Sequence, residues 1–156
     1  MNLERIHRLI ERVEECDPHF EKQPASDLSI TAVEERLSVT FPESYRTFLR
    51  HFGSFYSCDQ AVSGIYCDDP TELGSGSIVG DTLRFREEYD LPPQFMVIQP
   101  DEDAPYCLDL STAASEPSVV CFQLNTKTYQ EITPNFESWF IEWFLEELVD
   151  LLEDDS

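Results

Sequence analysis

Apolar and polar positions alternate along this chain with two different periods, and the change between them divides the sequence into parts. Leu3, Ile6, Leu9, Ile10 and Val13 recur at helical spacing, which predicts an amphipathic helix over roughly 2–16. "CDPHFEKQPASDLS" follows, with two prolines and several small polar residues, and reads as a loop. A second helix is expected to begin near Thr31, where Thr31 and Glu34 have capping-box spacing and Val33 and Leu37 mark the buried side. In "VTFPESYRTFLRHFG", Pro42 suits a first helical turn because its missing N–H would be unpaired there. Tyr45, Phe48, Leu49 and Phe52 then fall on one helical face, and Gly53 sits where a C-terminal cap belongs.

Beyond Gly53 the period shortens. Brief apolar runs bounded by turn residues predict strands near 54–57, 61–67, 95–99, 105–110, 118–123 and 128–132. "SIVGDTLRFREEYDLPP" reads as a helix that ends before Pro92 and Pro93. "NFESWFIEWFLEELVDLLEDD" is the plainest helix, with Phe136, Phe140, Trp143, Phe144, Leu148 and Leu151 on its apolar side. Residues 153–156 are expected to fray as an acidic tail. With no internal repeat and no low-complexity linker, the pattern predicts a single α+β domain over 1–156, of which 1–27 form an N-terminal helix and loop.

Charge sharpens this picture. The chain has 156 residues and a formal net charge of −22. Residues 1–50 carry seven basic and ten acidic side chains, net −3, whereas 51–156 carry three basic and twenty-two acidic, net −19. Such a surface repels nucleic acid and anionic lipid and steers basic partners toward it, although acidity also serves solubility. The charged N-terminal stretch and the short apolar runs predict neither a signal peptide nor a membrane span, and the five cysteines lack C-x-x-C spacing. The expected location is the reducing cytoplasm. Cys67, Cys107 and Cys121 lie in apolar runs and read as small buried hydrophobes.

Candidate chemistry is sparse. There is no G-x-S-x-G motif, and His7, His19 and His51 have no spaced acid and nucleophile. Cys16 and His19 would form half a zinc site whose other half is missing. "GSGSIVG" lacks the P-loop lysine, and "DED" at 101–103 suits a solvated hairpin tip as well as a divalent cation. No enzyme activity, cofactor or metal is expected.

The order of motifs along the chain resembles the SUKH superfamily, which includes the yeast cell-wall assembly and glucan-synthesis regulator and many bacterial immunity proteins. The matching residues are Val33, Glu34, Leu37, Phe41, Pro42, Tyr45, Phe48, Leu49 and Gly53, with Phe41 in place of the commoner leucine. "PYCLDLSTAASEPSVVCF" resembles the family's strand pair, with Asp109 at the usual aspartate and Glu116-Pro117 before the second strand. "NFESWFIEWF" resembles its closing helix, with Phe136 and Trp139 or Phe140 inward.

The resemblance implies a strongly twisted, mainly antiparallel sheet flanked by helices, and no catalysis. It implies an immunity protein that occludes a cognate toxin with a basic surface, such as a nuclease or deaminase domain, or alternatively a regulatory scaffold of the cell-wall type. The exposed acidic loops supply the candidate toxin-binding residues: Asp68, Asp69, Glu72, Asp101, Glu102 and Asp103.

Overall fold

The structure is a computed structural model and describes residues 1–111 and 115–154. Three helices open the chain: α1 (Leu3–Cys16), α2 (Asp27–Leu37) and α3 (Glu43–Phe52). A short hairpin follows, β1 (Phe55–Ser57) with β2 (Gln60–Val62), and then a 3-10 turn at Tyr66–Asp68. Helix α4 (Ile78–Tyr89) leads into four strands: β3 (Phe95–Gln99), β4 (Tyr106–Asp109), β5 (Val119–Gln123) and β6 (Thr128–Thr133). The chain closes with α5 (Phe136–Ser138), a π-helical stretch over Trp139–Leu145, and α6 (Glu146–Asp154).

Strands β3 to β6 form an antiparallel sheet in sequence order, with register shifts at Val97/Gln99 and Val119/Val120 that locally increase twist. Strand alternation sends its side chains to two cores. Met96, Ile98, Leu108 and Val119 face a large core built by α1, α2, α3 and the closing helix. Phe95, Val97, Cys107, Val120 and Phe122 face a smaller one completed by Phe85, Tyr89 and Leu91. The sheet is thus flanked by helices, an α+β arrangement as expected.

The aromatic stretch is core. Tyr45, Phe48, Leu49 and Phe52 are fully buried, and Phe48 packs against Phe136 and Phe140. Gly53 has φ +73°, and a Cβ there would meet the Gln23 carbonyl oxygen at 1.7 Å, so only glycine fits beneath the 17–26 loop. The Tyr45 hydroxyl donates to the Ser63 carbonyl at 2.6 Å, and burial, with the nearby Asp81 charge, pushes its pKa well up.

Several expectations are corrected. Helix α2 starts at Asp27, not near Thr31, because Ser26 is its N-cap and accepts from the Ser29 N–H at 3.2 Å. Glu34 does not close a capping box. It is buried, accepts from the Phe41 N–H at 2.7 Å and pairs with Arg46 at 2.7 Å, joining α2 to α3. Pro42 is the N-cap of α3 rather than its first residue. The strand expected over 61–67 ends at Val62, since the chain turns at Tyr66–Asp68 with positive φ at Cys67 and Asp68.

Of the three cysteines expected to be buried, Cys107 is, Cys121 is partly so, and Cys67 is exposed. The closing helix is not uniformly α. Its i→i+5 turns bring Trp139 and Phe144 within 5.8 Å and leave Trp143 and Leu151, both expected inside, each 44% exposed. Glu153 and Asp154, expected to fray, are helical, and Glu153 accepts from Arg12 at 3.0 Å; residues 155–156 lie outside the described ones.

Candidate functional site

A cleft of about 1340 Å³ opens between the β1–β2 hairpin, the 19–23 loop, the β3–β4 loop and the closing helix. Each wall is shaped by local sequence. Alternation along β1 buries Phe55 and Ser57 and turns Tyr56 outward. Cys58 and Asp59 both have positive φ, as a two-residue hairpin turn requires, which sets Asp59 beside Tyr56. The Tyr56 hydroxyl donates to Asp59 Oδ1 at 2.8 Å, a bond that raises the phenol pKa. Tyr66 stands half-exposed on the neighbouring turn, whose next residue, Cys67, donates its N–H to Gln23 Oε1 at 3.1 Å.

The opposite wall comes from β4 and the closing helix. Tyr106, the first residue of β4, lies 5.6 Å from the buried Trp139 ring and 6.3 Å from the exposed Trp143 ring. Burial raises the Tyr106 pKa, with the charges of Cys121, Glu147 and Asp101 contributing in that order. Glu147, one turn beyond Trp143, and Asp101 line the cleft together with this ring.

The cleft is one-sided in charge. Glu21, Asp59, Asp101, Glu147 and Asp150 line it, together with His19 and no lysine or arginine. Cations of the helical half are held elsewhere. Arg5 and Arg12 of α1 pair with Glu146 and Glu153, Arg50 bridges Asp27 and Glu43, and Arg46 and Arg84 hold Glu34 and Asp81. Glu147, by contrast, is exposed, and its carboxylate makes no hydrogen bond or ion pair among the described residues.

The six carboxylates singled out from sequence have separate fates. Asp68 accepts from the N–H of Ser26 at 2.8 Å and its hydroxyl at 3.1 Å, anchoring the 66–68 turn on the start of α2. The first of these bonds is the largest cause of its lowered pKa. Asp69 accepts from Thr71 Oγ1 at 2.6 Å and its N–H at 2.9 Å, which lowers its pKa too. Glu72 accepts from the Gly74 N–H at 2.8 Å.

Asp101 Oδ1 accepts from the N–H groups of Asp103 and Ala104, both at 2.9 Å, and shapes the β3–β4 turn. Glu102 and Asp103 are exposed on that turn. Only Asp101 of the six lines the cleft. Sequence reasoning missed Tyr56, Tyr66, Trp143 and Glu147. The closing helix did carry a signal, since it has more large apolar residues than one helical face can bury.

Among the described residues, no group of three or more His, Cys, Asp or Glu side chains is placed to hold a metal ion. His19 lines the cleft without a cysteine partner there, and no described helix is long and apolar enough to cross a membrane.

Known proteins resemble this chain in sequence or in fold. A protein of Bacillus subtilis (strain 168), named Uncharacterized protein YnaB, is 25% identical over 131 residues, covering 82% of this chain and 81% of its own. A crystal structure of a protein from Pseudomonas syringae pv. tomato superposes with a TM-score of 0.63 at 16% identity, covering 90% of this chain and 98% of that one, and so shares the fold. The profile of the SMI1-KNR4 cell-wall family matches residues 6–145, nearly the whole span from α1 to the π-helical stretch, and the chain belongs to that family, within the SUKH superfamily.

Proposed function

We propose that this chain is an immunity protein: it binds a cognate toxin domain with a basic surface and neutralises it by occlusion in the cytoplasm. The observation that carries the reading is the cleft, where exposed aromatic rings stand among five carboxylates with no lysine or arginine. Aromatic residues supply contact area at low conformational cost, and the one-sided charge accelerates encounter with a basic partner. The family includes both immunity proteins and cell-wall regulators, so it accommodates this reading. Asp68, Asp69, Glu72, Glu102 and Asp103, outside the cleft, add to the long-range field that steers the partner, while Asp101 contributes contact as well as charge.

The test uses the gene immediately upstream. Its C-terminal domain is expressed in a sensitive host with and without this chain, and the two proteins are co-purified. Restored growth together with a stoichiometric complex supports the proposal. Growth arrest despite co-expression overturns it, and a complex that forms without protection favours the scaffold reading of the family instead.

A further inference from the structure

We infer that the end of the cleft formed by Tyr106, Trp143, Glu147 and Asp101 is a subsite for an arginine side chain of the partner, an inference that rests on the proposed protein-binding role of the cleft. The occupant follows from the chemistry of the walls. Trp143 is 44% exposed, and its ring meets Tyr106 in an edge-to-face contact at 63° across 6.3 Å, so the pair forms an aromatic corner in the cleft wall. Tyr106 is backed by Trp139, and Phe144 beside Trp143 is buried. The Tyr106 side of the corner is therefore held from behind before anything binds.

Carboxylates stand on two sides of this corner. Glu147 projects from α6 and has no partner among the described residues. Asp101 comes from the β3–β4 turn, and only its Oδ1 is engaged by backbone N–H groups. Both acids line the same cleft as Tyr106 and Trp143 although they lie on separate elements. A cation entering here meets ring faces and uncompensated negative charge together.

Arginine fits this pairing better than lysine. Its planar guanidinium stacks on an indole while its edge donates two hydrogen bonds to a carboxylate, and it is more weakly hydrated than an ammonium. An apolar occupant would leave Glu147 and Asp101 desolvated without a partner, and an anion is repelled.

The test needs no knowledge of the toxin. Blocked peptides of equal charge, Gly-Arg-Gly-Arg-Gly and Gly-Lys-Gly-Lys-Gly, are titrated into the isotope-labelled full chain by NMR at low salt. The expected result is tighter binding of the arginine peptide by fivefold or more, with shifts centred on the Trp143 indole N–H and the Glu147 region. Trp143→Leu and Glu147→Gln are each expected to weaken it by fivefold or more. Glu142→Gln, an equal loss of charge at an exposed position on the same helix but outside the cleft, is expected to leave it unchanged.

Equal binding of the two peptides, equal effects of Glu147→Gln and Glu142→Gln, or no arginine binding overturns the subsite. In the growth assay, a Trp143→Leu/Glu147→Gln chain that still neutralises the toxin also overturns it while leaving the immunity role intact. Arginine binding by a wild-type chain that gives no protection has the opposite meaning.

Discussion

Glu116 closes the open end of helix α3 from 72 residues away, accepting the Ser44 hydroxyl at 2.6 Å and the Ser44 N–H at 3.2 Å. Proline at the N-cap position, Pro42, offers no side-chain acceptor of its own, and the first N–H groups of a helix have no partner within it. The β4–β5 connection therefore supplies the missing cap, with the negative charge at the favourable end of the helix dipole.

Replacing Glu116 with alanine is expected to lower stability by about 1 kcal/mol, in the usual range for a lost cap. Ser44→Ala is expected to cost about as much, because it removes the shorter of the two bonds. A double-mutant cycle by chemical denaturation checks the relationship. The double variant should lose clearly less than the sum of the singles, and strict additivity would mean that the two residues act independently.

Asp81 holds a second connection, between α4 and the segments before it. It is fully buried and accepts from Ser63 Oγ at 2.6 Å, from the Gly76 N–H at 3.2 Å and from Arg84 at 2.8 Å. Ser63 in turn accepts the Tyr45 hydroxyl through its carbonyl, so the network reaches the centre of the large core. Asp81→Asn keeps the shape but turns one acceptor oxygen into a donor facing donors. A loss of about 2–3 kcal/mol is expected, read as a lower denaturation midpoint at unchanged m-value. Arg84→Met, which leaves the buried carboxylate without its cation, is expected to cost a comparable amount.

How much of this could be read from the chain depended on whether the cause was local. The face of α3, the cap at Gly53 and the strands β3 to β6 followed from spacing, because period and turn chemistry act over a few residues. Glu34 was visible as a residue of the family pattern, but its role was not. Thr31 offered a capping partner three residues away, whereas the real donors, the Phe41 N–H and Arg46, lie beyond a loop. Ser26 as the true cap of α2 was hidden inside a stretch that looks like loop from its composition. The cleft was the least legible part, for two reasons. Its walls come from distant segments, and the π-helical stretch shifts the phase of the closing helix so that Trp143 leaves the face assigned to it by a period of 3.6.

Asp68 gives a pH signature. The Ser26 N–H, with the Ser26 hydroxyl beside it, holds its pKa below the ordinary value, which is about 3.9 in an unfolded chain. A depressed carboxylate contributes stability that is present above the unfolded value and is lost as pH falls through the folded one. Asp68→Asn is therefore expected to be less stable than wild type at neutral pH. The difference should shrink as pH drops below about 4, where wild-type Asp68 becomes protonated too. Urea denaturation of both proteins at pH 7 and at pH 3 checks this, and a difference that stays constant across that interval would remove Asp68 from the acid response.

Phe48 separates stability from binding. It is fully buried between Phe136 and Phe140 at ring distances of 5.5 and 5.2 Å, on helix α3, none of whose residues lines the cleft. Truncation to alanine removes a large apolar volume from a site framed by other rings that cannot collapse freely, and is expected to cost about 3–5 kcal/mol. Folded Phe48→Ala should still bind whatever the cleft binds, with an affinity close to wild type once the folded fraction is taken into account. Thermal unfolding and peptide titration of one preparation measure both quantities. A variant that kept its stability but lost binding would move the interaction surface from the cleft to the α3 face, and with it the role assigned to the most aromatic stretch of the chain.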